Sequence, residues 1–330
     1  MPLRPDERSV ERVRRSLAAL IGDHESTTVR VGVAVSGGPD STALLLLAAA
    51  ACPGRVMAAT VDHRFRADSA NDASHVALLC AQLGVAHDIL TLDWQPPAAS
   101  RQARARAARY AALARWAAAN KLTVVATAHH LDDQAETLLM RLHRGAGVGG
   151  LAGVRPQATV ATDDGPELHL VRPLLDWRRA ELAAIVTVAG VETVDDPANR
   201  DPAHDRTGAR AWLAASPAWP DRRRLGASAD HLRQATEALD WSADRLLAER
   251  GQQTGDGWAI DLADVPAELR RRLALRLIER LRPTGPPVRG DRLDRALLLL
   301  QAGRVATLGG VVIRPRGGQW HFAPAPPRRP

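Results

Sequence analysis

Lysine is almost missing from this chain: Lys121 is the only one, and the other basic side chains are all arginine. Cysteine is nearly as scarce. Cys52 and Cys80 lie far apart inside apolar patterns and make neither a CxxC pair nor a metal cluster. That excludes a disulfide framework and fits a reduced, cytoplasmic protein. No run approaches the ~18 consecutive apolar residues of a membrane-spanning helix, so no membrane association is expected. The opening stretch MPLRPDERSVERVRRSL is charged throughout and lacks the apolar centre of a signal peptide. There is no internal repeat.

What is present suits a globular α/β protein. A chain of 330 residues, 45% hydrophobic, is long enough for two domains with real cores. Strand and helix patterns alternate through its first half. VRVGVAV (29–35) precedes a helix from about Asp40 to Ala51, and RVMAATVDH (55–63) precedes one ending at Gly84. AHDILTLDW precedes RQARARAARYAALARWAAAN, TVVATAHH precedes LDDQAETLLMRLHRG, and LHLVRPLL precedes WRRAELAAIVTVAG. Near-continuous apolar strands alternating with helices predict a parallel, Rossmann-like sheet covered on both faces, with ligands at the carboxyl ends of its strands.

The alternation stops near Asp195. TVDDPANRDPAHDRTGARAW reads as a polar connector, followed by helical patterns at about 222–250, 266–282 and 289–302. VATLGGVVIRPRGGQWHF reads as a terminal hairpin pair with Gly-Gly turns, and APAPPRRP as a disordered tail. The expected division is a domain over 1–205 and a smaller, mainly helical one over 206–330. Residues 1–200 balance 22 basic against 22 acidic side chains, whereas 201–330 hold 22 against 15, so the whole net charge of +7 lies in the second part. Two readings stand: an arginine-rich solvated surface, or a seat for a polyanion held through its phosphates.

The loop after the first strand, Ser36-Gly37-Gly38-Pro39-Asp40-Ser41, opens a helix, which is where phosphates bind. Asp40 would repel a phosphate unless a divalent cation, Mg²⁺ by its chemistry, stood between them. The loop lacks the lysine of kinase-type P-loops, and GxGxxG does not occur. Ser-Gly-Gly-x-Asp-Ser instead resembles the pyrophosphate loop of the N-type ATP pyrophosphatases, which split ATP to AMP. Other strand ends carry His63, Arg64 and Arg66, then His129 and His130 followed by Asp133 and Glu136, three apart on one helix face. The ligand set is too thin for zinc. An arginine-rich helix carries Arg106 and Arg109, which suit phosphate contacts.

SGGPDS, VDHRFRADS, AARYAAL, HHLDDQAETLLMRLHRGAGVGGL, RPLLDWRRAEL and DDPANRDPAHDR occur in this order over about residues 29–210. Together they resemble the tRNA(Ile)-lysidine synthetases, a tRNA-modifying branch of those pyrophosphatases. The resemblance implies an adenine nucleotide α-hydrolase-like fold and a two-step ligation. ATP adenylates the C2 oxygen of the wobble cytidine in the CAU-anticodon isoleucine tRNA, and the ε-amine of L-lysine then displaces AMP. It implies ATP and Mg²⁺ at Ser36–Ser41, with Asp40 on the metal and His63 and Arg66 beside the nucleotide. Lysine would lie at Asp133, Glu136 and Arg206, and tRNA at Arg106, Arg109 and Arg144. Asp40, Arg109, His129 and Asp133 would form the catalytic set, and related enzymes often dimerise. The chain departs from the family's RNxxR pattern at Arg206-Thr207 and is short for the family. A tRNA sulfur-transfer enzyme would need cysteines that are absent. A small-substrate ligase would not need the basic second part. A binding module without catalysis would not need Asp40, His129, Asp133 and Glu136 together.

Overall fold

A computed structural model describes residues 3–22, 29–63, 69–92, 101–162, 165–194, 205–215, 220–283, 285 and 288–326. The chain divides into two compact units, Met1–Arg233 and Gln234–Pro330.

The first unit begins with α1 (Glu7–Ile21), capped by the Asp6 carboxylate, which accepts from Ser9 N at 3.0 Å. There follow β1 (Val31–Ala34), α2 (Pro39–Ala51), β2 (Val56–Asp62), α3 (Ser69–Leu83), β3 (Ala86–Thr91) and α4 (Arg101–Ala119). Next come β4 (Val124–Ala126), α5 (Leu131–His143), α6 (Val148–Leu151), β5 (Gln157–Thr162), β6 (Gly165–Val171), α7 (Arg179–Ala189), α8 (Asp205–Ala215) and α9 (Arg222–Arg250). The six strands pair in the order β3-β2-β1-β4-β6-β5. All pairings are parallel except that of the edge strand β5, which runs antiparallel to β6 and was not anticipated.

One face of the sheet packs a core from α1, α2, α3 and α7, around Val13, Leu44, Leu47, Val76 and Leu182. The other packs α4, through Tyr110, Leu113 and Trp116. β1 serves both faces by alternation: Val31 and Val33 belong to the first core, whereas Gly32 lies under Trp116, where a Cβ would come within 2.7 Å of the ring. The order runs one way from β1 to β3 and the other from β1 to β4. The crevice beyond the carboxyl ends of β1 and β4 is thus the topological switch point, where such sheets bind ligands.

The connector reading fails beyond Asp205: residues 205–215 form α8, which packs on α5, while 195–204 lie outside the described residues. The unit boundary falls at Arg233 rather than 205 because α8 and the start of α9 stay with the first unit. Gly226 of α9 sits so close to Leu131 that a Cβ would meet its Cδ1 at 2.4 Å.

The second unit adds β7 (Gly251–Thr254), β8 (Gly257–Asp261), α10 (Ala267–Leu281), α11 (Gly290–Gln301), β9 (Ala306–Leu308), β10 (Val311–Arg316) and β11 (Gln319–Pro324) to the rest of α9. Its five strands form an antiparallel sheet in the order β7-β8-β11-β10-β9, so the terminal hairpin is part of a larger sheet beside the expected helices. The foreseen Gly-Gly turns are there, at Gly309-Gly310 and Gly317-Gly318, all with positive φ. No described helix is long and apolar enough to cross a membrane.

Candidate active site

The loop between β1 and α2 folds as a glycine-rich cradle at a helix N-terminus. Gly37 has φ +83, and a Cβ there would meet Val194 Cγ2 at 2.9 Å, so only glycine is accommodated without strain. Gly38 caps α2 and Pro39 occupies its first turn, where a missing N–H costs nothing. Ser36 N donates to Ser41 Oγ at 3.1 Å, and the Ser41 hydroxyl donates to the Gly38 carbonyl at 3.0 Å. Val194 N holds the Gly37 carbonyl at 2.9 Å. The helix N-terminus then faces the crevice with free amides, the arrangement that binds a polyphosphate.

Asp40, in the first turn of α2, meets the next strand end. Its Oδ2 lies 3.4 Å from His130 Nε2 and 4.0 Å from Arg179 Nε, while its buried Oδ1 has no hydrogen-bond partner. That orphaned oxygen suits Mg²⁺. Among the described residues no group of three or more His, Cys, Asp or Glu could cage a metal.

His130 is the N-cap of α5 and only 2% exposed. Its backbone N–H donates to Asp133 Oδ2 at 3.1 Å, and its ring is surrounded by Asp40, Asp133 (3.7 Å) and Asp132 (3.8 Å). Burial disfavours its charge, but the hydrogen bond to Asp40 and the three carboxylates outweigh burial and raise its pKa.

His129, beside it, behaves oppositely. Burial first, then the charges of Arg172, Arg206 and Arg106, outweigh Asp133 and pull it down to about 4, so the ring is neutral and pairs through Nδ1 with the Thr127 hydroxyl at 3.1 Å. An unfolded chain binds this proton more readily than the folded one between about pH 4 and 6.5, so here stability rises with pH and levels off above that window. His129→Gln is therefore expected to lose less stability than the parent when denaturant unfolding is compared at about pH 7 and about pH 5. An equal or larger loss in the variant would contradict the assignment.

Glu136 is not an open acid. Its side chain is 4% exposed, accepts from Arg210 Nε at 2.8 Å and lies 3.4 Å from Arg206 Nε. Both arginines come from α8, four residues apart on one face. The pair expected to meet a cation thus consists of Asp133, which caps α5, and Glu136, already matched by two guanidiniums. Asp132, which sequence reasoning passed over, accepts from Arg179 N at 2.8 Å and pairs with Arg222 Nε at 2.9 Å, joining α5, α7 and α9.

Arg106 and Arg109 lie on the Tyr110 ring, 4.8 and 5.4 Å from its centroid. Arg109 faces His63 at the end of β2; burial chiefly, and then the Arg109 charge, lower the pKa of His63. Arg172, buried at the end of β6, donates to the Arg155 carbonyl at 2.6 Å and adds positive charge beside His129. Arg144 caps the opposite end of α5, one helix length or ~20 Å from His130. Arg66 lies outside the described residues. Both cysteines are buried, and burial pushes Cys80 up to about 12, which rules out a reactive thiolate.

A crevice at the switch point, a glycine cradle on a helix N-terminus and an acid in the first turn of that helix define a PP-loop protein. Residues 9–215 match the PP-loop domain family, ATP_bind_3. Two curated relatives are the tRNA(Ile)-lysidine synthases of Novosphingobium aromaticivorans, 48% identical, and of Zymomonas mobilis, 43% identical; each alignment covers 91% of this chain and 90% of the relative. The chain belongs to the tRNA(Ile)-lysidine synthase family. A U34-tRNA thiolase of Methanococcus maripaludis, solved with its [4Fe-4S] cluster, shares the fold at 16% identity (TM-score 0.56, covering 69% of this chain and 81% of that one).

Proposed function

We propose that this protein uses ATP to ligate L-lysine to C2 of the wobble cytidine in the CAU-anticodon isoleucine tRNA. The observation that carries this reading is the meeting of two motifs in one crevice: the phosphate cradle and the His129–Glu136 string touch through Asp40 and His130, 3.4 Å apart. The relatives' names supply the substrate class.

In the first step the cytidine C2 oxygen attacks the α-phosphorus of ATP, and the bond to pyrophosphate breaks. The amides at Gly37 and Gly38, with the Ser36 and Ser41 hydroxyls, hold the departing pyrophosphate; His63 flanks the nucleotide. Mg²⁺ on Asp40 would supply charge neutralisation between carboxylate and phosphates. Arg109 and Arg172 face the negative charge that develops. His129, neutral among arginines, serves as a hydrogen-bonding group for the base rather than as a cation.

Asp133 holds the lysine ε-ammonium and stands to take one proton from it, which frees the amine's lone pair. In the second step that nitrogen bonds to C2, the C2–oxygen bond breaks as AMP leaves with its electrons, and the nitrogen sheds its second proton to water. Glu136 reaches the same cation by exchanging Arg206, which keeps the acid neutralised until lysine arrives. Arg106 and Arg109 contact tRNA phosphates; Arg144, at the far end of α5, contacts the tRNA away from the reacting base.

The test is incubation with ATP, labelled lysine and, separately, the isoleucine and methionine tRNAs that carry CAU. Label in the isoleucine tRNA alone is expected. Label in neither, or equally in both, overturns the reading.

A further inference from the structure

α8 has little apolar hold on the rest of the first unit, since Leu213 alone of its described residues is buried. Polar contacts keep it in place, and they fall at two points. At the front, Arg206 and Arg210 reach Glu136. At the rear, the Leu213 carbonyl accepts from Arg222 Nη2 at 3.0 Å, and Nε of the same guanidinium lies 2.9 Å from Asp132 Oδ1. One planar fork thus joins the last turn of α8 to the first turn of α5, a geometry that arginine supplies and a point charge does not.

The rear contact stands on a fixed base. The Asp221 carboxylate accepts from the amides of Arg223 and Arg224 at 2.7 and 3.1 Å, which caps the first turn of α9. Gly226, one turn on, admits Leu131 of α5 against the helix. Asp132 and Arg222 are also less exposed than Arg206 and Arg210, at 17% and 18%, so water and salt screen their pairing less. The second oxygen of Asp132 looks the other way. Oδ2 accepts from Arg179 N at 2.8 Å and lies 3.8 Å from His130 Nδ1, and Arg179 Nε is 4.0 Å from Asp40. Oδ1 therefore serves the α8 side of the crevice and Oδ2 the side of the glycine cradle.

We infer, on the ligase reading above, that Asp132 and Arg222 are positioning residues for the lysine step, holding α8 in register while Glu136 exchanges an arginine for the substrate amine. When Arg206 gives way to lysine, the front contact weakens just as Arg210 and Glu136 must stay aligned. The rear clasp does not take part in that exchange, so it keeps α8 in place throughout. Arg222 reaches α5 and α8 but not the cradle, whereas Asp132 reaches both sides, and this asymmetry separates their expected effects.

The experiment is steady-state lysine incorporation into isoleucine tRNA, with pyrophosphate release in the absence of lysine measured alongside, for the parent chain, R222Q, D132N and the double variant. R222Q is expected to raise the KM for lysine by ~5–20-fold while kcat and pyrophosphate release stay within ~2-fold of the parent. D132N is expected to raise that KM similarly and also to slow pyrophosphate release by ~3–10-fold, through its Oδ2 side. The double variant should raise the lysine KM no further than D132N alone, because the two changes break one contact. A lysine KM within ~2-fold of the parent in R222Q overturns the inference. So does an equal fall of both half-reactions in R222Q, the mark of a general loss of structure, or effects that multiply in the double variant. If R222Q does not fold, R222K is judged by the same criteria, since it keeps a charge for Asp132 but lacks the second branch of the fork. A parent that incorporates no lysine refutes the ligase reading instead. Hydrogen exchange over 205–215 then decides the clasp by itself: faster exchange in R222Q upholds it, and unchanged exchange overturns it.

Discussion

Replacing Asp40 with Asn is expected to cut ATP-dependent pyrophosphate release by about 10²–10³-fold, the scale on which loss of one preorganised electrostatic group acts. The substitution keeps the shape of the side chain and the cradle at Gly37 and Gly38. It removes the charge from an oxygen that is buried without a protein partner, and with it the ligand proposed for Mg²⁺. His130 loses one of three neighbouring anions but keeps Asp132 and Asp133, so α5 should remain capped. Labelled ATP and tRNA without lysine isolate this half-reaction, and tRNA binding should be unchanged. Release within ~3-fold of the parent would sink the assignment of this loop to pyrophosphate chemistry.

The second large effect is expected at Glu136. Glu136→Ala should leave tRNA adenylation partly intact while raising the lysine requirement by ~10–100-fold, because its carboxylate holds α8 and, in the proposed reaction, meets the substrate amine. Arg206 and Arg210 are 45% and 33% exposed and can turn to water, so the stability loss should stay near ~1–2 kcal/mol, below the ~3–5 of a wholly buried pair. Hydrogen exchange should nevertheless quicken over 205–215. Arg210→Ala separates the two roles. If it raises the lysine requirement as much as Glu136→Ala does, the acid acts only by positioning α8. If adenylation vanishes in Glu136→Ala while lysine dependence stays the same, Glu136 belongs to the nucleotide step.

Much of this was readable beforehand, and the boundary has physical causes. The parallel sheet was legible because β1, β2 and β4 are buried almost throughout, leaving near-continuous apolar runs. The helical patterns at 222–250, 266–282 and 289–302 match α9, α10 and α11 to within a residue at each end. β7 escaped notice because three of its four residues are exposed, so no alternation marks it. α8 looked like a connector because Leu213 is its only buried apolar residue; the helix is held by arginines reaching Glu136, 74 residues away in the case of Arg210. A pairing at that separation leaves no local trace. The i,i+4 spacing of Arg206 and Arg210 was the one available signal. Asp132 was hidden in the same way, its partners Arg179 and Arg222 lying on α7 and α9, whereas Arg172 meets a carbonyl in the loop before β5, a contact that side-chain patterns do not record.

The clustering of helix ends at the crevice has an energetic consequence. α2 begins at Gly38, α5 at His130 and α7 at Arg178, and Asp40, Asp132 and Arg179 tie these three origins together. Each helix origin acts as roughly half a positive charge, so together they amount to about one and a half. Asp40, Asp132 and Asp133 therefore sit in a field that offsets much of their own repulsion of a polyphosphate. The proposed cation at these carboxylates and the proposed anion at the glycine loop can share one opening because the backbone itself supplies the missing positive potential.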